Sequence, residues 1–198
     1  MSLTPRFSDA LGFAFQLHAG QFRKASGVPY VAHLLSVAAI ALEHGASEDE
    51  AIAALLHDAI EDQGGAPVRD EIRRRFGQRV ADIVNGCTDS ETIPKPPWRA
   101  RKEMYLAHLS SANASVRLVC AADKLHNVRS LLQDYRTHGE LLWDRFNGGK
   151  AGTLWYYRAV ATILREVQDS DSPAERLIAE LDRALGQLER LAATPPEK

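Results

Sequence analysis

Apolar residues recur at three- and four-residue intervals along nearly the whole chain, and no run alternates apolar and polar residues as a half-buried strand would. A chain patterned this way can bury its apolar surface only by packing helices on helices, so the predicted fold class is all-α, a helical bundle. Its 198 residues suffice for one continuous core without disulfides. Residues 1–198 are therefore read as a single domain, with a core over about 8–165 and a C-terminal helix over about 173–191.

Caps and breakers divide the pattern. Ser8 is placed to cap a first helix to His18, and Gly20 with the turn at 26–29 separates it from a second helix over 29–44, which Gly45 ends. Ser47 and Glu50 have capping-box spacing for a third helix from Glu48 to about Asp62, stopped by Gly64 and Gly65. Helices over 67–76 and 78–86 precede a proline-rich loop at 88–97. Helices over 98–109 and 114–135, a turn at 145–149, helices over 152–167 and 173–191, a polar break at 169–172 and a frayed tail at 194–198 complete the reading.

Composition excludes several classes. A formal net charge of −2 gives no overall attraction to nucleic acid or to an anionic membrane. The longest apolar stretches, such as 37–42, fall well short of the roughly 20 residues that span a bilayer, and residues 1–6 lack the apolar core of a secretory signal. Cys87 and Cys120 lie in unrelated segments without CxxC spacing, so neither a disulfide framework nor a thiolate zinc site is expected, and a reducing cytoplasm fits. The oligomeric state is left open.

The segment 55–62 carries the chemistry. There His57, Asp58, Glu61 and Asp62 interrupt the apolar face of a helix. An isolated carboxylate in a helical core loses several kcal/mol of hydration, so it calls for a metal, a cation or strong hydrogen bonds. His57 and Glu61 are four apart and Asp58 is one step round, so all three can point into one cavity. An HD dipeptide alone is common by chance, but His33 and Asp123 each stand in another apolar helical stretch. Two imidazoles and two carboxylates suit a borderline-to-hard divalent ion such as Mn²⁺, Fe²⁺ or Zn²⁺. Four such ligands on an octahedral ion leave positions for water and a phosphoryl oxygen.

Glu61, four residues after a ligand, is placed for general acid/base work, with Asp62 beside it. Asn127, one turn after Asp123, could hold water or a phosphate oxygen, or bond to backbone within its helix. Lys95, Arg99, Arg101 and Lys102 form a basic run where cations could meet a polyphosphate, or a solvated helix start. The cluster Arg69, Arg73, Arg74, Arg75 and Arg79 spreads round its helix and reads as solvated surface. His18, His44, His108 and His138 read as surface or capped histidines, and His126, three after Asp123, as a supporting residue behind the metal set. Trp143, Phe146, Trp155 and Tyr156 read as core.

Three stretches carry a resemblance to a known family: 21–33, from Gln21-Phe22-Arg23-Lys24 to Pro29-Tyr30-Val31-Ala32-His33; His57-Asp58-Ala59-Ile60-Glu61-Asp62; and Ala122-Asp123-Lys124-Leu125-His126-Asn127. Together, in order and spacing over about residues 8–165, they resemble the HD-type hydrolase domain of RelA/SpoT proteins and the stand-alone small alarmone hydrolases. The resemblance implies an HD-type helical bundle and a Mn²⁺-dependent hydrolase that releases pyrophosphate from the 3′ position of guanosine tetraphosphate (ppGpp). It also implies His33, His57, Asp58 and Asp123 as metal ligands and Glu61 and Asp62 as the acidic pair beside the attacking water. Asn127 matches the asparagine that follows the last ligand by four, and Arg23 and Lys24 match the basic pair near the nucleotide. From the residues alone, Lys95 and Lys102 are added as substrate-binding cations.

The chain departs from the family at Thr88-Asp89-Ser90-Glu91 and Pro94-Lys95-Pro96-Pro97-Trp98, where alarmone hydrolases usually carry Thr-Asp-Asp-Lys. The partner is expected to be a small nucleotide. A nucleotidase or pyrophosphohydrolase acting on another nucleotide, and a non-catalytic nucleotide-binding module, remain alternatives.

Overall fold

A computed structural model of the chain describes residues 2–24, 26–90, 94–167 and 174–193. The expected break at 169–172, the tail at 194–198 and Glu91 lie outside them. The described residues are helical with no strand, which bears out the all-α reading; one isolated antiparallel bridge joins Phe22 and Pro29.

Helix α1 spans Pro5–Leu17 and is capped by Thr4, whose side chain accepts from the Arg6 N–H. It starts earlier than Ser8 because proline is pre-organised for the first helical position and Thr4 supplies the cap; Ser8 instead donates to the Pro5 carbonyl. Residues 21–30 double back as a short turn in which Arg23 N–H bonds to Val28 O, and Tyr30 N–H to Gln21 O. With Tyr30 N–H committed to that turn, α2 begins at Val31 and runs Val31–Glu43.

The helix expected over 48–62 is broken. Helix α3 spans Glu48–Leu56, opened by the Ser47/Glu50 capping box, and α4 spans Ala59–Gln63. At the break Asp58 takes φ −96°, ψ −3°, the bridge conformation common among active-site residues. The remaining helices are α5 (Ala66–Phe76), α6 (Gln78–Cys87), α7 (Trp98–Ser111), α8 (Ala114–His138), α9 (Gly149–Glu166) and α10 (Ala174–Ala193). A 3-10 segment, Gly139–Arg145, which the helical periodicity did not reveal, follows α8 and buries Leu142 and Trp143.

Helix α8 is central, with α2, α3, α6, α9 and α10 packed around it. Leu34, Ile52, Leu55, Leu56 and Leu125 are fully buried in this core, each contributing about 1.5–3 kcal/mol of transfer free energy. Leu177, Leu181, Leu185 and Leu188 bring α10 into the same cluster, and Arg158 fastens it to α9 through Asp182 and Glu189.

Two close approaches fix the site's walls. A Cβ on Gly86 would come 2.5 Å from Val116 Cγ2, so the α6–α8 contact depends on a glycine there. A Cβ on Gly148 would come 2.6 Å from the Trp98 ring, which seats the start of α7 against α9. Among the described residues no helix is long and apolar enough to cross a membrane.

Candidate active site

Four side chains from different elements meet at one point: His33 from α2, His57 and Asp58 from the α3–α4 break, and Asp123 from α8. His33 Nε2 lies 3.3 Å from His57 Nε2, 3.5 Å from Asp58 Oδ2 and 3.3 Å from Asp123 Oδ1. His57 Nε2 lies 2.9 Å from Asp58 Oδ2 and 3.7 Å from Asp123 Oδ1. His33, His57 and Asp58 offer ligand atoms that all lie within 4.8 Å of one another, whereas Asp123 approaches the two imidazoles without joining that group.

The donor set fits a divalent ion. With bonds of about 2.1 Å, neighbouring ligand atoms stand about 3.0 Å apart in an octahedron and about 3.4 Å apart in a tetrahedron. The observed separations bracket those values. The imidazoles are also turned correctly. His57 Nδ1 donates to the Ala54 carbonyl at 2.8 Å, leaving Nε2 as the inward lone pair. His33 Nδ1 pairs with His126 Nδ1 at 2.8 Å, and when His33 donates there its Nε2 is likewise bare. Burial and the neighbouring His33 and Arg23 push the His126 pKa down to about 4, so that ring is neutral and able to accept.

The cluster favours positive charge at its centre. Burial alone would lower the His57 pKa, yet Asp58 and Asp123 raise it well above the usual histidine range. Burial likewise opposes ionisation of the two aspartates. It is outweighed by His57 and His33 at Asp58, and by Lys124 and then the histidines at Asp123, so both carboxyls sit well below their ordinary range.

A surrounding layer holds these groups in place. The Tyr30 hydroxyl donates to Asp58 Oδ2 at 2.6 Å, and burial together with Asp58 raises its pKa so that it stays a donor. Gln21 Nε2 donates to Asp62 at 2.7 Å while its Oε1 faces Gln63 Nε2 and His18 Nδ1, both at 2.6 Å. Burial and the charge of Asp58 raise the Asp62 pKa.

Beside the four-donor cluster opens a cleft of about 610 Å³, within the range of small-molecule sites. Glu61, Asp62, Asn127, Arg23, Lys24, Lys95 and Lys102, all named from the sequence, line it. Glu61 Oε1 accepts from Lys95 at 2.8 Å and lies 3.6 Å from Arg101 Nη1. Among the described residues, the Asn127 side chain bonds to other side chains rather than to backbone. It donates to Asp123 Oδ1 and accepts from Arg23 Nη2 at 2.9 Å, linking that cation to the cluster.

Several sequence expectations change. Arg99 pairs with Glu103 and lies 3.3 Å from the Trp155 ring centroid, outside the cleft lining, whereas Arg101 and Lys102 line the cleft. Tyr156 and Phe146 are partly core, but both also form cleft wall. His18 is buried and stacks 5.3 Å from Tyr30, and His44 is buried with Nδ1 on the Ile40 carbonyl. The arginines of α5 and Arg79 remain a surface feature; Arg73, Arg74, Arg75 and Arg79 pair with Asp70, Glu71 and Asp49.

Sequence reasoning missed Lys124 and Asp89. Lys124 bonds to Asp123 Oδ2 and lies over Tyr105 and Tyr156. The argument that singled out Asp123, a charge in an apolar helix, applies to its neighbour too.

An all-helical bundle that turns two imidazoles and two carboxylates onto one point beside a cation-lined cleft defines a class of helical metal-site proteins. The HD domain family pattern matches residues 10–154, and the chain belongs to that family. It is 40% identical over 126 residues to guanosine-3′,5′-bis(diphosphate) 3′-pyrophosphohydrolase MESH1 of Xenopus tropicalis, covering 62% of this chain and 68% of that protein. It is 38% identical over 122 residues to the guanosine-3′,5′-bis(diphosphate) 3′-pyrophosphohydrolase of Aquifex aeolicus, covering 62% of this chain and 17% of that longer protein. A solved structure of a metazoan ortholog of SpoT that hydrolyzes ppGpp superposes with a TM-score of 0.74 at 24% identity, over 94% of this chain and 97% of that one, which shows a shared fold.

Proposed function

We infer that this chain is a metal-dependent phosphohydrolase that releases pyrophosphate from the 3′ position of ppGpp or a closely similar nucleotide. One observation carries the reading: the convergence of His33, His57, Asp58 and Asp123 on one point at the edge of a cleft lined by Glu61, Asp62 and several cations. The naming of the Xenopus and Aquifex relatives as 3′-pyrophosphohydrolases supports the same substrate class.

The four donors would hold one divalent ion, Mn²⁺ being the proposed metal with Fe²⁺ and Zn²⁺ as alternatives for the same ligand set. Such an ion supplies Lewis-acid chemistry, lowering the pKa of a water and polarising a phosphoryl oxygen. Glu61 would take the proton from the attacking water, and Asp62, its pKa raised by burial and Asp58, would share that proton or pass it to the leaving oxygen. Arg23, Lys24, Lys95 and Lys102 would receive the phosphates and orient the phosphorus for attack. Asn127 would hold Arg23 to the cluster.

The departure at Ser90 favours one further reading, the same chemistry on another nucleotide, because this segment adjoins Asp89 in the cleft wall. A nucleotide panel with Mn²⁺, assayed for pyrophosphate and for phosphate and repeated after chelation, separates the readings. Metal-dependent pyrophosphate release from ppGpp is the expected result. Phosphate release from a nucleoside monophosphate would give the second reading, and binding without turnover a sensing module. The free thiols of Cys87 and Cys120 suit a reducing cytoplasm, the proposed location.

A further inference from the structure

We propose that Asp89 is a positioning residue, which holds Lys102 and Arg101 of α7 in the attitude in which they receive the substrate's phosphates. This proposal rests on the phosphohydrolase reading above. Asp89 follows α6 and is separated from α7 by the proline-rich segment, yet one of its oxygens gathers both α7 cations. Oδ2 accepts from Lys102 Nζ at 2.6 Å and from Arg101 Nη1 at 2.9 Å. Its backbone N–H meets Glu61 Oε2 at 3.4 Å, so the same residue also touches the acid of α4.

Fold stability does not account for this carboxylate. Its side chain is 6% exposed, and its second oxygen, Oδ1, is buried with no hydrogen-bond partner among the described residues, as is Arg101 Nε. A buried carboxylate that leaves half of its acceptors unused loses hydration without full return, and apolar replacements of buried ion pairs are often no less stable. What Asp89 does supply is orientation. The lysine stem is flexible, and here its ammonium is held from two sides, by Asp89 and by the Tyr156 ring 4.6 Å away. Side chains fixed before the ligand arrives lose less freedom on binding it.

Charge balance points the same way. Lys95, Arg101 and Lys102 share two acids, Glu61 and Asp89, so the cluster keeps a net positive charge on the cleft wall. The clasp therefore orients the cations without cancelling them.

The test is a calorimetric titration of inorganic pyrophosphate into the full chain loaded with Mn²⁺, for wild type, Asp89→Asn, Lys102→Met and the double variant, with thermal melting and metal content as controls. Asp89→Asn should weaken binding by about tenfold, the lost ordering of the two cations outweighing the gain in positive charge, with metal content unchanged. Because Asp89 acts through Lys102, the loss caused by Asp89→Asn should be smaller in the Lys102→Met background. An equal or larger loss there, or wild-type affinity in folded Asp89→Asn, overturns the proposal. If Asp89→Asn does not fold, Asp89→Glu carries the test. It keeps the charge but moves the carboxylate, so weakened binding supports the positioning role and unchanged binding overturns it. A wild-type protein that binds no pyrophosphate would take down the phosphohydrolase reading together with this one.

Discussion

Lys95 Nζ stands 2.8 Å from Glu61 Oε1 and ties the proline-rich segment to α4 in the wall of the cleft. Glu61 thus meets the cations that would receive phosphate and, three residues from Asp58, adjoins the four-donor cluster without being among its donors. Glu61→Gln should keep the metal and lose about 10²-fold or more in turnover, the usual scale for a general acid/base residue. Metal analysis beside steady-state kinetics checks this. Loss of the ion would make Glu61 a ligand, and an unchanged rate would make it structural.

Asp58 Oδ2 receives the Tyr30 hydroxyl and faces both His57 and His33, so its carboxylate links three groups of the cluster. Asp58→Ala should remove both bound metal and activity while helical circular dichroism is retained. A purified variant with stoichiometric metal and full turnover contradicts the assignment.

The α6–α8 contact can be tested without touching the chemistry. Gly86→Ala places a Cβ 2.5 Å from Val116 Cγ2, an overlap the core must relieve by moving a side chain or a helix. Overpacking of this kind costs typically about 1–3 kcal/mol. Chemical denaturation should report a loss in that range, and a variant as stable as wild type would mean that Val116 moves aside freely.

The helical periodicity made the fold class legible, and the four converging donors could be named from the sequence because each is a polar residue in an apolar helical stretch. Other features could not be read this way. The polar residues at 57, 58, 61 and 62 interrupt the apolar face at helical spacing, so they do not reveal that the backbone itself breaks at His57 and Asp58. The break shows only where His57 bonds back to Ala54 and Asp58 adopts the bridge conformation. The segment Gly139–Arg145 escaped because a single 3-10 stretch is too short to have a period. The Asp89 clasp joins residues 12 and 13 apart across a proline-rich segment, and no local pattern encodes such a pairing. Trp98 is legible as a helix start, but its fit against Gly148, just before α9, depends on a contact between distant residues.

The central claim is metal-dependent pyrophosphate release, and the most direct measurement is the product analysis of ppGpp incubated with the purified protein and Mn²⁺. Pyrophosphate should form in equal amount with a nucleoside 5′-diphosphate, cease on chelation and resume when Mn²⁺ is restored. If ppGpp is left intact by metal-loaded protein that removes phosphate from a nucleoside monophosphate, the four-donor hydrolase site survives and the 3′-pyrophosphohydrolase assignment is contradicted.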